Sequence, residues 1–353
     1  MRAHLEADEV FMSRCLQLAA LGAGNVAPNP MVGCVITIGD EAAPYGQRII
    51  GEGYHQQFGG PHAEVNAVAA VRDPNLLRKA RVYVNLEPCS HLGKTPPCTR
   101  LLIEKEIPEV VIGCEDPHKL VAGSGISALQ KAGCTVKTGV LEKQSIYLNR
   151  RFFTWHQKQR PYILLKWAQT SDGFIARKDY SSKWISNQYS RAFVHKFRST
   201  ESAIMVGTRT ALFDDPALNV RNWSGKDPLR IVIDRQLKIP ASAQIFAKTG
   251  KIVIFNEHKN GEERNVSFRK IAFGEDGLAA MLNELFNMKV LSVLVEGGAA
   301  LLNSFIEKDL WDEARVFTAP VYFTEGIPAP VLSKTPVARH SIDHDVMNHY
   351  LNL

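Results

Sequence analysis

The first hundred residues contain three side chains of the types that bind metal ions, and a glutamate lies two positions after one of them. His62 lies in the run Pro61-His62-Ala63-Glu64, and the thiols of Cys89 and Cys98 are nine positions apart in a proline-rich run. One imidazole and two thiolates suit zinc, and three protein ligands leave a tetrahedral zinc ion one open position, as in catalytic sites. Zinc lowers the pKa of a bound water to about 7, and Glu64 is the candidate for moving the proton. These residues predict a hydrolytic zinc site.

The spacing of His62 and Glu64 requires a helix start at this point. Residues two positions apart point about 200° apart around a helix, so both reach one metal only from the first turn. Pro61 suits the first turn of a helix and places them there, and Pro97 does the same for Cys98. At that position the positive end of the helix dipole favours a thiolate.

Strands and helices are predicted to alternate along the whole chain, which indicates an α/β fold. Strands are expected at residues 31–38, 48–51, 82–86, 109–113, 135–138, 162–168, 202–206, 229–233, 251–255, 290–296 and 314–318. Helices are expected at residues 8–22, 62–71, 98–105, 124–132, 187–198, 276–287 and 299–307. A polar, basic stretch at 149–160 predicts the domain join, so we expect domains at 1–150 and 151–353.

Composition narrows the class of protein. A chain of 353 residues suggests about two domains, and its formal charge of +6 is not concentrated in a block of Lys and Arg that would bind nucleic acid. No apolar stretch reaches the ~18 residues that span a bilayer, and the first ten residues lack the apolar core of a signal peptide. All six cysteines fall in the first 134 residues. We therefore expect a cytoplasmic protein without a membrane or nucleic-acid partner, in which some cysteines bind metal.

The runs around the predicted ligands resemble those of zinc deaminases, in which H-x-E is followed by P-C-x-x-C. In this chain the two cysteines are nine positions apart rather than three, which points to another branch of the zinc deaminases. The chain resembles the bifunctional deaminase–reductases of riboflavin biosynthesis. In the first half the resemblance rests on Pro28-Asn29-Pro30-x-Val32-Gly33, Gly51-x-Gly53-Tyr54-His55, Pro61 to Glu64, and Leu86 to Cys98. In the second half it rests on Leu165-Lys166, Asp172-Gly173, Asp214 to Leu218, Arg230 to Asp234, and Val295 to Gly298.

This resemblance implies a cytidine-deaminase-like α/β/α sandwich followed by a dihydrofolate-reductase-like α/β domain. The first domain is expected to remove an amino group from 2,5-diamino-6-(5-phosphoribosylamino)pyrimidin-4-one with zinc. The second is expected to reduce the ribosyl group to a ribityl chain with NADPH. The partners are then phosphorylated pyrimidine small molecules, and a homo-oligomer is left open.

The resemblance also assigns roles to individual residues. Catalysis falls to Glu64 and zinc binding to His62, Cys89 and Cys98. Contacts with the two substrates are expected from Asn29, His91, Lys94, Thr95, Lys166, Ser182, Ser186, Arg198, Leu218, Arg221 and Glu296. Cofactor contacts are expected from Gln169, Trp184, Thr210 and Asp214, and from the backbone N–H groups of Gly297 and Gly298, which suit a pyrophosphate where a strand leads into a helix.

Two alternatives remain at this point. The chain is a zinc deaminase acting on a nucleic-acid base, with the C-terminal half as a binding module, or a structural zinc module fused to an inert reductase-like fold. Glu64 argues against the second alternative, because a structural site has four protein ligands and needs no carboxylate beside the metal.

Overall fold

The structure is a computed structural model that describes residues 7–39, 43–90, 96–118, 122–182, 185–247 and 250–352. The chain forms two compact units, which divide between Lys158 and Gln159. Among the described residues, no helix combines the length and the apolar character needed to cross a bilayer.

The first unit is built on a five-stranded sheet. Its strands are β1 (Gly33–Ile38), β2 (Ile49–Tyr54), β3 (Ala80–Leu86), β4 (Glu109–Cys114) and β5 (Thr135–Lys137). Its helices are α1 (Ala7–Ala20), α2 (Tyr45–Arg48), α3 (Ala63–Ala69), a 3-10 helix (Pro74–Lys79), α4 (Cys98–Glu104), α5 (Ser124–Lys131), α6 (Glu142–Leu148) and α7 (Arg150–Lys158). The strand order is β2-β1-β3-β4-β5, with β1 antiparallel to its two neighbours and β3, β4 and β5 parallel.

Alternating side chains along β1 divide the core of this unit into two layers. Cys34 and Ile36 point into one cluster, which includes residues of α3, α4 and α5. Val35 points into the other cluster, together with Phe11 and Leu18 of α1. Helices therefore cover both faces of the sheet, and the expected α/β/α sandwich is confirmed.

A glycine on β2 allows helix α3 to lie close to the sheet. A Cβ atom on Gly53 would stand 2.3 Å from the backbone nitrogen of Ala67 and 2.6 Å from the carbonyl oxygen of Ala63. Only a residue without a side chain permits this approach, which fixes the height of the α3 N-terminus above the strand.

The stretch expected to be the domain join is largely helical. Helix α7 occupies residues Arg150–Lys158, and Phe152 and Phe153 pack with Leu86 and Cys114 of the first unit. The chain therefore divides after Lys158 rather than after residue 150. Because this stretch contains many charged residues, the sequence alone does not show that one side of it is apolar.

The second unit is built on a ten-stranded sheet in the order β11-β12-β10-β9-β8-β13-β6-β14-β17-β16. Its strands are β6 (Tyr162–Thr170), β7 (Phe174–Ala176), β8 (Ala203–Gly207), β9 (Leu229–Ile233), β10 (Ile252–Asn256), β11 (Gly261–Glu263), β12 (Val266–Lys270), β13 (Ser292–Val295), β14 (Glu313–Ala319), β15 (Ile327–Pro328), β16 (Ala338–Ile342) and β17 (Asp345–Leu351). Its helices are α8 (Gln188–Thr200), α9 (Thr208–Phe213), α10 (Gly277–Asn287) and α11 (Ala299–Glu307). Strands β7 and β15 pair separately from the large sheet.

The strands from β12 to β14 in this order all run parallel, whereas β11, β17 and β16 are antiparallel additions at the two sides. All six strands predicted in this half are present, as are its three predicted helices. The prediction missed helix α9 and the strands β7, β11, β12, β15, β16 and β17. The parallel arrangement places the ends of β8, β9 and β13 at one edge of the sheet, where open α/β sheets bind ligands.

Candidate active sites

The three predicted metal ligands meet in the first unit. The Nδ1 atom of His62 lies 3.3 Å from the sulfur of Cys98 and 3.6 Å from the sulfur of Cys89. Tetrahedral zinc with ordinary Zn–N and Zn–S bonds separates nitrogen and sulfur ligands by about 3.5 Å. Within the described part of the chain, this is the one group of three or more such side chains close enough to share a metal. The donor set and its spacing fit zinc.

Each ligand stands where a regular element begins or has just ended. His62 is the residue before the first turn of α3, Cys98 is the first residue of α4, and Cys89 follows the end of β3. The backbone N–H of Cys98 donates to the sulfur of Cys89 at 3.3 Å, and both the N–H and the hydroxyl of Thr99 donate to the Cys89 carbonyl. The start of α4 therefore holds the Cys89 segment in place.

Glu64 lies in the first turn of α3, is 3% exposed and faces the two thiols. Burial raises the pKa of Glu64, and the negative charge of Cys89 adds to the effect. Hydrogen bonds from Cys98 and His62 lower the pKa of Cys89, although burial opposes this. The site thus combines a thiol that ionises readily with a carboxyl group that gains a proton readily.

A residue to which the sequence analysis gave no role, Glu87, holds the loop that carries Cys89. Its buried carboxylate accepts hydrogen bonds from four backbone N–H groups, at 3.1 Å from Asp116, 3.0 Å from Gly123, 2.8 Å from Gly125 and 3.3 Å from Ile126. Glu87 therefore ties the segment after β3 to the loop after β4 and to the start of α5. Its position two residues before Cys89 was the available signal.

Asn29, predicted to bind the pyrimidine, lies next to the metal-ligand segment through His55. The Asn29 amide nitrogen is 3.1 Å from Nε2 of His55, and Nδ1 of His55 is 3.0 Å from the Pro61 carbonyl oxygen. Burial lowers the pKa of His55, so its ring is neutral at pH 7. A neutral ring that donates to the Pro61 carbonyl accepts from the Asn29 amide, which leaves the Asn29 oxygen available.

Three further predicted substrate contacts, His91, Lys94 and Thr95, lie outside the described residues, and so does the predicted cofactor contact Trp184. Their roles remain predictions.

The second unit contains a cavity of about 630 Å³ beside the ends of β8, β9 and β13. This volume is in the range of small-molecule sites. Its wall includes the predicted residues Lys166, Ser182, Ser186, Arg198, Thr210, Asp214, Leu218, Arg221, Glu296, Gly297 and Gly298. Gln169 is not part of the wall, and its side-chain oxygen instead accepts a hydrogen bond from the indole of Trp167 at 2.8 Å.

A buried ion cluster forms part of this wall. Nε and Nη2 of Arg198 donate to the two carboxylate oxygens of Glu296 at 2.8 and 2.9 Å, and Nζ of Lys166 lies 3.8 Å from the same carboxylate. Burial opposes ionisation of Glu296, but the charges of Arg198 and Lys166 outweigh it and lower the pKa of Glu296 to about 2. Burial also lowers the pKa of Lys166. Because Glu296 occupies the Nε–Nη2 edge of Arg198 and the Asn219 carbonyl accepts from Nη1, Arg221 is the more accessible guanidinium for a ligand phosphate.

Two helix starts meet at the glycine turn after β13. The N–H of Gly298, which precedes α11, donates to the hydroxyl of Thr210 in α9 at 2.9 Å, so this N–H, predicted to hold a pyrophosphate, already has a partner within the protein. Ala299 and Ala300 of the first turn of α11 line the cavity, and N–H groups in a first turn have no partner within the helix. This end of the cavity suits an anionic group such as a pyrophosphate.

The sequence analysis gave no role to His195 and Arg191, which both line the cavity. His195 and Arg191 share helix α8 with Arg198, at spacings of three or four residues that place all three on one face. That spacing was the signal. A helical histidine becomes notable only once the cavity beside the helix is known.

Comparison with known proteins gives matches over both units. Residues 5–114 match the family described as the cytidine and deoxycytidylate deaminase zinc-binding region, and residues 161–331 match the family described as the RibD C-terminal domain. The riboflavin biosynthesis protein RibD of Actinobacillus pleuropneumoniae is 41% identical, covering 89% of this chain and 84% of the relative. RibD of Aquifex aeolicus is 37% identical, covering 91% of this chain and 89% of the relative.

A solved structure from Thermotoga maritima also matches nearly the whole chain. It is described as a diaminohydroxyphosphoribosylaminopyrimidine deaminase/5-amino-6-(5-phosphoribosylamino)uracil reductase. The match has a TM-score of 0.86 and 36% identity, and it covers 97% of this chain and 98% of the other.

Proposed function

Because the chain belongs to the RibD family, the bifunctional deaminase–reductases of riboflavin biosynthesis, we propose that its first unit deaminates a diaminopyrimidine nucleotide and that its second unit reduces the product. The substrates are those in the description of the Thermotoga relative. The observation that carries the proposal is the His62, Cys89 and Cys98 cluster with the buried Glu64 beside it. The match of residues 161–331 to the RibD C-terminal domain supports a reductase in the C-terminal half over the alternative in which that half binds nucleic acid.

In the first unit, Glu64 moves the proton. His62, Cys89 and Cys98 would hold the zinc ion, which would act as a Lewis acid and make a water molecule nucleophilic at neutral pH. Glu64 takes a proton as the water oxygen bonds to the ring carbon and returns it to the amino nitrogen as the C–N bond breaks, so that ammonia leaves. Burial raises the pKa of Glu64, which suits a group that must both accept and donate a proton near pH 7.

Asn29 positions the pyrimidine in this proposal. Because its amide N–H is directed at His55, its oxygen is proposed to accept a hydrogen bond from the pyrimidine. His91, Lys94 and Thr95, in the segment between the two thiols, are proposed to bind the rest of the nucleotide.

In the second unit, the cavity holds the cofactor and the sugar together. NADPH supplies the hydride that adds to C1′ of the ribose. As the bond between C1′ and the ring oxygen breaks, that oxygen takes up one proton, and the product is an open ribityl chain. Lys166, whose pKa is lowered by burial, is proposed to provide this proton. Arg221 is proposed to hold the phosphate, and the first turn of α11 to hold the pyrophosphate of the cofactor.

We further propose a cytoplasmic location. All six cysteines are free, which suits a reducing compartment, and the second reaction consumes NADPH.

The experiment that tests this assignment supplies the diaminopyrimidine nucleotide with and without NADPH and follows ammonia and cofactor absorbance. Ammonia should appear in both cases, and NADPH should be oxidised only after ammonia has formed. Ammonia release that depends on NADPH, or release from single-stranded oligonucleotides but not from the nucleotide, would contradict the proposal.

A further inference from the structure

Three side chains of the second unit hold the segment Asn219–Arg221 at the cavity, two of them from helix α8 and the third from Asp227. Nη1 of Arg198 donates to the Asn219 carbonyl at 3.1 Å, and a carboxylate oxygen of Asp227 accepts from the N–H of Val220 at 2.7 Å. Nδ1 of His195 accepts from the N–H of Arg221 at 3.4 Å. Three consecutive residues thus each give one backbone group to a side chain.

No regular element holds this segment. Residues 214–228 contain neither helix nor strand, and the seven residues from Arg221 to Asp227 are all exposed. The residue before the segment, Leu218, is buried and adopts a φ of 51°, a conformation that favours glycine and is held here by its surroundings. The position of the segment therefore depends on the three side-chain bonds.

His195 is a buried residue of α8 and faces charged groups. Burial and then the positive charges of Arg198 and Arg221 lower its pKa to about 4, although Glu296 and a hydrogen bond with the Asn219 backbone oppose this. The ring is therefore neutral at pH 7. Since the Arg221 amide can only donate, Nδ1 of His195 is the acceptor, and the proton of the neutral ring is on Nε2.

We propose that His195 is a positioning residue of the reductase site, which fixes the backbone of Arg221 so that its guanidinium stands at the mouth of the cavity and binds the substrate phosphate. The inference rests on the phosphate-binding role proposed above for Arg221. The guanidinium is further oriented by a hydrogen bond from its Nη1 to the side-chain oxygen of Asn219 at 3.1 Å. His195 itself exchanges no proton in the reaction.

The test measures steady-state kinetics of NADPH oxidation by the full chain with the deaminated nucleotide. His195→Leu removes the acceptor and should raise KM for the nucleotide about tenfold, the loss typical of one hydrogen bond, while kcat and KM for NADPH stay within about twofold. His195→Asn places an acceptor oxygen near the position of Nδ1 and should restore most of the affinity. Ammonia release by the first unit should be unchanged, and the exposed His344→Leu serves as a matched control.

A double substitution separates this inference from the proposed function. If His195 acts through Arg221, then His195→Leu combined with Arg221→Gln should raise KM no further than Arg221→Gln alone. If Arg221→Gln raises KM but His195→Leu leaves it unchanged, the inference is overturned and the proposed function stays intact. If Arg221→Gln leaves KM unchanged, Arg221 does not bind the substrate phosphate, and the inference about His195 is overturned as well. Additive effects, or a kcat that falls with a new ionisation near neutral pH in His195→Asn, would also overturn it.

Discussion

Glu296→Gln should destabilise the second unit strongly, because it leaves two buried cations without a counter-charge. Glu296 is buried and accepts two hydrogen bonds from Arg198, with Lys166 beside it. Its pKa lies at about 2, compared with an ordinary value of 4.5. At about 1.4 kcal/mol for each pKa unit, this difference corresponds to about 3 kcal/mol. The loss of one partner from a buried ion pair costs about 3–5 kcal/mol in other proteins, which agrees.

The same pKa sets the pH dependence of this contribution. A carboxyl group whose pKa is lower in the folded state stabilises the fold fully above its unfolded pKa, and the effect disappears as pH falls through the folded pKa. For Glu296 this window runs from about pH 4.5 down to about pH 2. The difference in unfolding free energy between the wild type and Glu296→Gln should therefore be about 3 kcal/mol at pH 7 and about 1 kcal/mol at pH 3.

Urea unfolding followed by tryptophan fluorescence reports on the correct unit, because four of the five tryptophans belong to it. Glu307→Gln is the matched control, since Glu307 is an exposed residue at the end of α11. That substitution should change the unfolding free energy by less than about 0.5 kcal/mol. If Glu296→Gln and Glu307→Gln unfold at the same urea concentration at pH 7, or if their difference does not shrink at pH 3, the electrostatic reasoning about the cluster is wrong.

Two further predictions concern the first unit. Glu87→Gln should weaken zinc binding about 10- to 100-fold in a chelator competition, because it disturbs four backbone hydrogen bonds around the Cys89 loop; equal zinc affinities in Glu87→Gln and the exposed Glu115→Gln would contradict this. A fragment ending at Lys158 should have a melting temperature at least about 5 °C higher than a fragment ending at Arg150, because only the longer fragment retains the two buried phenylalanines of α7. Equal melting temperatures would show that α7 does not stabilise the first unit.

The zinc site was largely predictable because its chemistry is local in the sequence. His62 and Glu64 lie at one helix start and Cys98 at another, and prolines precede both. The argument from helix geometry therefore needed no knowledge of the sheet. The same argument did not identify Glu87, because the partners of its carboxylate come from residues about 30 to 40 positions further along the chain.

In the elements that the sequence analysis missed, polar or charged residues interrupt the pattern of apolar residues that predicts a strand or a helix. Strand β17 buries Asp345, Met347 and His349 on one face, so two of its three inward positions are polar and the usual alternation of apolar residues is absent. Helix α7 buries Phe152 and Phe153 within the charged stretch 149–160, whose composition predicts a domain join. In both cases tertiary contacts satisfy or cover groups whose partners the local sequence does not show.

Release of ammonia by the zinc-loaded Glu64→Gln variant tests the central claim most directly. The variant and the wild type are each prepared with one zinc ion per chain and supplied with the diaminopyrimidine nucleotide in the absence of NADPH. The variant should keep its zinc and release ammonia about 10²- to 10⁴-fold more slowly, because a glutamine cannot carry the proton. Ammonia release at the wild-type rate by Glu64→Gln, or by wild-type chain that binds no zinc, would contradict the assignment of this site.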